Sequence, residues 1–338
     1  MIDFRSDTFT RPGPGMLQAM LQAETGDDVF GEDPSVNKLE AMMAAYFGKE
    51  AALYCPSGTM SNQIAIKVHT IPGDEVVCSN LAHVYIYEGG GIAFNSSAQV
   101  HAITGDRGMI TAEQVQAAIN PDDVHKARTS LVCLENTSNR GGGCCYEWEE
   151  ILKIKQVCSQ HNLALHLDGA RLFNALVATG QDAKAYGAAF DSISVCLNKG
   201  MGCPMGSVLL GSHDFIKSAR RIRKKLGGGM RQAGYMATTG IYAMENNIAR
   251  LEEDHQHAKL IAQTLLEKSF TGHMLPVETN ILIFELKGQW TPQLFADYMK
   301  REGILVMPIS ATQVRMVLHL DITPEMVERT CKIIMEMP

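Results

Sequence analysis

No run of about 18 apolar residues occurs in this sequence, so no membrane-spanning helix is expected. Its first residues, Met-Ile-Asp-Phe-Arg-Ser-Asp-Thr, carry charge where an export signal needs an apolar stretch, which predicts a soluble, unexported chain. The nine cysteines are odd in number and irregularly placed, with Cys144 and Cys145 adjacent, so neither a disulfide framework nor a CxxC metal pair is visible. A reducing cytoplasm fits that usage. There is no Walker loop, no HExxH and no GxSxG. Net positive charge is missing too: at −7 the chain lacks the general basic face that nucleic acid or an anionic membrane requires. One basic run, Lys217 to Lys225, alternates with Phe215, Ile216, Ala219, Ile222 and Leu226 at helical spacing, which predicts a solvated or interface helix face rather than a polyanion site.

What is present is ordinary globular material, 338 residues at 46% hydrophobic and 20% charged, enough for one large core and a smaller domain. Short apolar or β-branched runs at Ala51 to Cys55, Glu75 to Cys78, Gln99 to Ile103, Ser130 to Leu134, Leu163 to Leu167, Ser192 to Leu197 and Ser207 to Leu210 predict strands. Helical patterns separate most of them, the clearest over Glu147 to His161 and His213 to Leu226, and Thr111 with Gln114 predicts a capping box. Strands alternating with helices predict an α/β fold, a mostly parallel sheet covered on both faces with its site at the carboxyl ends of the strands. The pattern changes near Asn247, so residues 1–246, the N-terminal arm included, are expected to form a large domain and residues 247–338 a small α+β domain. Within the latter, Thr323-Pro324 reads as a helix start.

Two strand-end segments carry the chemistry: His-Leu-Asp-Gly-Ala-Arg, closing on Asp168, and Ser-Val-Cys-Leu-Asn-Lys-Gly, closing on Lys199. A lysine amine can hold an aldehyde cofactor as a Schiff base while a carboxylate keeps a pyridine nitrogen protonated, so the pair points to pyridoxal phosphate (PLP). Ser57, Gly58 and Thr59, between a strand and a helix, offer backbone amides and a helix dipole for the phosphate. His83, after the next strand, is a candidate to lie on the cofactor's face. His166, two residues before Asp168 and on the same side of the strand, is a candidate to orient that carboxylate. Arg171, one turn beyond Asp168, is a candidate for an anionic substrate group. Gly200-Met-Gly202-Cys-Pro-Met-Gly206 superficially resembles a dinucleotide fingerprint, but Pro204 and the strand-like Ser-Val-Leu-Leu that follows remove the helix such a site needs.

With these residues assembled, the chain resembles the L-threonine aldolases of the aspartate-aminotransferase-like, fold type I PLP enzymes. The matching segments are Arg-Ser-Asp-Thr at 5–8, Gly-Asp-Asp-Val-Phe-Gly-Glu-Asp-Pro at 26–34, Pro-Ser-Gly-Thr-Met at 56–60, His-Leu-Asp-Gly-Ala-Arg-Leu-Phe-Asn-Ala at 166–175, Gly-Gly-Gly-Met-Arg-Gln-Ala-Gly at 227–234 and Val-Arg-Met-Val-Leu-His at 314–319. The resemblance implies a seven-stranded sheet and reversible cleavage of L-threonine or L-allo-threonine to glycine and acetaldehyde. It also implies a homotetramer built from dimers with shared active sites. It makes Lys199 the Schiff-base lysine, Asp168 the partner of the ring nitrogen and His83 the stacking ring. Gly58 and Thr59 hold the phosphate with Arg231 of a neighbouring subunit, Ser6, Arg171 and Arg315 hold the substrate carboxylate, and His125 lies near the substrate hydroxyl. His83, a water held by it, or His125 remain alternatives for the base. Phe30 stands where relatives commonly have tyrosine and Ser138 where a histidine is usual, both in segments expected near the site. A transaminase or β-eliminating lyase on the same fold, and a non-catalytic module with the same layout, are the competing classes.

Overall fold

The computed structural model describes residues 1–338. The chain opens with strand β1 (Ile2–Asp3) and helices α1 (Pro14–Leu21) and α2 (Pro34–Phe47), each helix starting on a proline where the missing N–H costs nothing. Asp33 caps α2 through the Val36 amide, and Gly48 closes it in the left-handed region. The large sheet follows: β2 (Ala51–Cys55), α3 (Gly58–His69), β3 (Glu75–Ser79), α4 (His83–Ile86), β4 (Gln99–Ile103), α5 (Ala112–Ala118), β5 (Thr129–Glu135), α6 (Trp148–Gln160) and β6 (Ala164–Gly169). Then come α7 (Leu172–Thr179), α8 (Ala183–Ala189), β7 (Ser192–Cys196), β8 (Ser207–Gly211), α9 (His213–Lys225) and α10 (Gly234–Asn246).

The seven strands run in the order β2-β8-β7-β6-β5-β3-β4. Strands β3 to β7 pair in parallel, and β8 alone runs antiparallel to its neighbours β7 and β2. Each of the seven apolar runs is one of these strands, with ends shifted by no more than two residues. Four of them, β3, β5, β7 and β8, are buried along their whole length, which is why they read as continuous apolar stretches rather than alternating ones. The capping box at Thr111 and Gln114 forms at the start of α5. Beyond β3 the chain steps outward to β4, then returns to β5 and proceeds through β6 and β7 in the opposite direction. This reversal opens a crevice at the carboxyl ends of β3 and β5, the place where ligands bind in such sheets.

The remainder comprises α11 (Leu251–Leu266), β9 (Thr271–Met274), β10 (Ile281–Leu286), α12 (Pro292–Arg301), β11 (Ile304–Leu305), β12 (Met307–Pro308), β13 (Gln313–Val317) and α13 (Pro324–Glu336). Thr323 caps α13 as its sequence suggests. A sheet of order β12-β13-β10-β9 packs with the helices around a second core that includes Ile261, Leu265, Phe284, Phe295, Met316 and Ile334. The arm departs from expectation here. Instead of joining the large domain, β1 pairs in parallel with β11, and Ile2 and Phe4 sit in the second core. An apolar pair inside a charged segment is too short to show a period, so only the fold reveals its allegiance.

Close packing between α8 and the end of α2 generates a first prediction. A Cβ on Gly187 would run into the Phe47 carbonyl, and backbone cannot yield as a flexible side chain can. Gly187→Ala should therefore lose at least about 2 kcal/mol of stability in urea unfolding. A midpoint equal to that of the unaltered protein would show that the helices separate at little cost.

Candidate active site

Parallel pairing sets the site's frame, because Glu135 on β5 lies opposite Asp168 on β6, and Asp168 opposite Ser194 on β7. Both acids therefore end at one level, with Lys199 in the turn beyond β7 and His83 at the start of α4 beyond β3. A cleft of about 440 Å³ opens there, lined among others by Ser6, His83, Glu135, Asn139, Arg171, Lys199 and Arg315. A larger groove of about 700 Å³ between α2 and α9 holds none of the predicted site residues.

Buried acids define the electrostatics. Asp7 is fully enclosed and takes two bonds from Arg171, Nε to Oδ2 at 2.6 Å and Nη2 to Oδ1 at 2.8 Å. Burial alone would raise the Asp7 pKa, but the Arg171 charge and hydrogen bonds outweigh it and hold the carboxyl at about 2. Arg171 is thus committed to a protein carboxylate. Arg315 is not: its Nη1 donates to Asn139 Oδ1 at 3.1 Å and one Nη2 bond goes to the Arg5 carbonyl, but its buried Nε has no partner. Burial, and then the neighbouring Arg171 charge, lower the Arg315 pKa to about 10. A cation in that state favours an incoming anion.

The Glu135 carboxylate accepts the backbone amides of His83, at 2.7 Å, and Asn139, at 2.8 Å, fixing both walls of the cleft. Burial first, and then Asp168, raise its pKa. His83 Nδ1 lies 3.0 Å from Glu88 Oε1. Burial opposes the charge of His83, but Glu88 and Asp168 outweigh it, so its pKa is raised above the ordinary histidine value. Asp168 accepts from the Ala170 amide at 3.1 Å and from Asn62 Nδ2 at 3.0 Å.

The residues suit PLP. Lys199 faces the cleft with no acid paired to it, its one hydrogen-bond contact being Cys196 Sγ at 4.0 Å. Ser57 Oγ caps the Met60 amide, which leaves the Gly58 and Thr59 amides free at the first turn of α3. Gly58 packs so tightly on Cys196 that a Cβ there would collide with its sulfur, which seats the helix start directly beside the lysine turn. His83, Glu88 and Asp168 also place ligand atoms within 4.8 Å of one another, a spacing a cation could use. Asn62 directs its amide hydrogens at both carboxylates, however, which suits a hydrogen-bond network rather than a metal shell.

This chain matches the beta-eliminating lyase family model over residues 3–289. It is 43% identical to the low specificity L-threonine aldolase of Escherichia coli (strain K12), across 96% of each chain. It belongs to that family, among its threonine aldolases. Low-specificity L-threonine aldolase 1 of Arabidopsis thaliana is 39% identical over 97% of this chain and 94% of its own. The solved threonine aldolase of Leishmania major shares the fold, with a TM-score of 0.86 at 20% identity over 99% of this chain and 98% of that one.

Not every predicted residue reaches the cleft. Lys199, His83, Ser6, Arg171 and Arg315 line it, Asp168 lies buried within 4.8 Å of His83, and Ser57, Gly58 and Thr59 start α3 beside the Lys199 turn. His125 does not. It is an exposed residue paired with Asp123, and it sits with Glu75 and Gln99 at the amino ends of β3 and β4, about 16 Å of strand from the carboxyl ends. Phe30 is 73% exposed, and Arg231 pairs with Asp27 on the same surface patch, both outside the chain's own cleft. Ser138 is buried and turned away, donating to the Arg107 carbonyl at 2.9 Å, although its neighbour Asn139 lines the cleft. His166 does not touch Asp168 directly; it bonds Asn62, which does. Sequence reasoning passed over Asp7, Asn62, Glu88, Glu135 and Asn139. Glu135 ends an apolar strand just as Asp168 does, so the same signal was there to find it.

The Asp7–Arg171 pair predicts a pH signature. A carboxyl whose folded pKa lies below its unfolded value adds stability above the unfolded pKa, and that stability fades as pH falls through the folded one. Asp7→Asn should therefore cost about 2 kcal/mol at neutral pH, and the deficit should shrink between about pH 4 and pH 2. Urea unfolding of both proteins across that range checks it, and a deficit independent of pH would remove the ion pair from the account.

Proposed function

We propose that this chain is a PLP-dependent aldehyde-lyase that cleaves L-threonine and L-allo-threonine to glycine and acetaldehyde by breaking the Cα–Cβ bond. The observation that carries the reading is an uncommitted lysine, Lys199, sharing one cleft with an incompletely bonded arginine, Arg315, and with His83, whose ring nitrogen lies within 4.8 Å of the buried Asp168 carboxylate. Such a cleft takes an electrophilic cofactor and an anionic amino acid together. The relatives' names supply the particular substrate.

In this reading Lys199 holds the cofactor's aldehyde carbon, Asp168 its ring nitrogen and the Ser57–Gly58–Thr59 turn its phosphate, with His83 beside the ring. Bound there, the protonated ring supplies the sink for the electron pair released at Cα. The chain does the rest. Arg315 and Ser6 bind the substrate carboxylate, and Arg171, neutralised by Asp7, backs them through the Nη1 it shares with Asn139. Orienting the carboxylate fixes which Cα substituent faces the ring. His83, or a water it holds, removes the β-hydroxyl proton, and Glu88 receives Nδ1–H so that Nε2 faces the cleft.

Arg231 is read as a cofactor phosphate ligand of a neighbouring subunit, and Phe30 as part of the same shared wall. Their exposure on one patch outside their own cleft supports this, although the turn that leads to Arg231 passes Met60 of its own α3. Any contact of His125 with substrate belongs to a neighbouring copy as well, given its place at the far end of the strands. A homotetramer of such dimers in the cytoplasm, serving threonine breakdown or glycine supply, completes the proposal. No helix is long and apolar enough to cross a membrane.

Incubation of the holoenzyme with each threonine diastereomer should release acetaldehyde and glycine in equal amounts. Keto acid or ammonia would point instead to transamination or β-elimination. Arg315→Ala should lower kcat/KM by about a hundredfold, from loss of a charged hydrogen bond worth about 3 kcal/mol; Lys199→Ala should abolish turnover.

Proton removal by His83 adds a pH expectation. The base works only when neutral, so kcat/KM should rise with pH through the raised His83 pKa, and Glu88→Gln should move that rise toward lower pH. A rise unmoved by Glu88→Gln would take His83 out of the base role.

The subunit assignment is tested by complementation. When Lys199→Ala and Arg231→Ala subunits are co-refolded, about a quarter of all sites should regain both residues if the site is shared. Activity equal to the mean of the two parents would assign Arg231 to its own subunit.

A further inference from the structure

Helix α3 lies along β6 and β7 and presents Asn62 and His69, two turns apart, to the sheet. Between them runs an unbroken buried chain. His69 Nε2 lies 2.8 Å from Ser192 Oγ, Ser192 Oγ 2.8 Å from His166 Nδ1, and His166 Nε2 3.1 Å from Asn62 Oδ1. Asn62 Nδ2 then reaches Asp168 Oδ2 at 3.0 Å and Glu88 Oε1 at 2.9 Å. Asn62, His166, Ser192 and Asp168 are each at most 2% exposed.

Every proton in this chain has a determined direction. The Asn62 NH2 reaches one oxygen of each carboxylate, which leaves its own oxygen to face His166. His166 therefore carries its proton on Nε2 and accepts the Ser192 hydroxyl at Nδ1, and that hydroxyl's oxygen accepts from His69. Burial holds both imidazoles neutral, with pKa values of about 3 for His166 and about 4 for His69. The chain is no conduit for protons, because it ends in an amide that donates without relaying. What it does is fix the amide.

The two carboxylates need that amide. Asp168 and Glu88 are buried within 4.8 Å of each other, and like charges so close ordinarily share a proton. Gln63 Nε2 also serves Glu88, at 2.6 Å, and His83 from α4 and Glu135 from β5 face the pair, but only Asn62 donates a hydrogen bond to both carboxylates. We propose that Asn62, turned by the His69–Ser192–His166 chain, is the positioning residue that keeps Asp168 and Glu88 as two separate carboxylates, one directed to the cofactor's ring nitrogen and the other to His83. This rests on the assignment of Asp168 to the ring nitrogen given above.

The test reads cofactor binding rather than turnover. The dissociation constant of PLP from the apoenzyme is measured between about pH 9 and pH 6, and the His83 ring N–H is followed by NMR in the apoenzyme. In Asn62→Ala the carboxylates should share a proton, so that PLP affinity falls by up to about tenfold per pH unit below the pair's raised pKa. The unaltered protein should show a much flatter profile. Removing the competing charge should repair the defect, so Asn62→Ala with Glu88→Gln should return to the flat profile, a rescue that mere loss of packing would not give. Should Asn62→Ala fail to fold, His166 carries the same test. His166→Gln keeps an N–H toward Asn62 and should behave as the unaltered protein, whereas His166→Leu should acquire the steep profile. The His83 N–H resonance should shift in the steep variants only. Flat profiles in both Asn62→Ala and His166→Leu, or a double variant as steep as Asn62→Ala, would overturn the proposal. Asp168→Asn separates the two readings: if it leaves PLP affinity and the cofactor's absorbance unchanged, the ring-nitrogen assignment has failed. If it weakens binding while Asn62→Ala stays flat, only the role of Asn62 has failed.

Discussion

Four carboxylates, those of Asp7, Glu88, Glu135 and Asp168, are buried where the parallel strands end, and much of the surrounding architecture serves to satisfy them. An ionised carboxylate removed from water costs several kcal/mol unless donors replace its hydration. The donors come from elements far apart in sequence: Arg171 after β6 and Asn280 of the small domain for Asp7, the amides of His83 and Asn139 for Glu135, and Asn62 and Gln63 of α3 for Glu88. The arm, α3, α4 and the small domain are thus tied to one edge of the sheet by polar bonds as well as by apolar burial. Removing any one acid would leave its buried donors short of an acceptor, the situation that makes such networks cooperative.

The same accounting shows which charges are left for chemistry. Arg171 resembles a substrate ligand in sequence, one turn beyond Asp168, yet its fork is filled by Asp7. Arg315 keeps an unfilled donor and a depressed pKa, so an anion entering the cleft relieves a cost already present. Arg315 is thus the arginine of the cleft that the protein itself leaves short of acceptors.

Legibility in the sequence followed chain separation. The seven sheet strands, the Lys199 and Asp168 strand ends and the Ser57–Thr59 turn are local patterns, each a run of apolar residues meeting a polar turn, and each appears where the pattern places it. Strands β1, β9 and β12, at two to four residues, are too short to carry a period. Asn62, Glu88 and Asp7 gain their meaning only from partners far along the chain, and nothing in their own segments marks an asparagine that will meet Asp168 from one that faces solvent. His166 shows the intermediate case. Its alternation with Asp168 predicts a shared face, which is right, but the contact between them passes through a third residue from another element. His125 shows the limit: a residue's role by family resemblance says nothing about which copy's cleft it enters, and within one chain the direction of β3 and β4 sends it to the wrong end.

The arm's unexpected allegiance bears on how the two cores meet at the cleft. Bonds from Val317 N to the Phe4 carbonyl, from Arg315 to the Arg5 carbonyl and from His319 to the Asp3 carbonyl, with the pairing of β1 to β11, make the first five residues part of the small domain. One residue beyond Ser6, the Asp7–Arg171 pair fastens the chain to the large sheet. Arg315 and the first residues of the arm are therefore one body, and it meets the large sheet through the bonds of Arg315 to Asn139 and of Asn280 to Asp7. The Arg315 side of the cleft is in this sense built on the small domain and the Lys199 side on the large sheet, and the Asp7–Arg171 pair sits where the two meet.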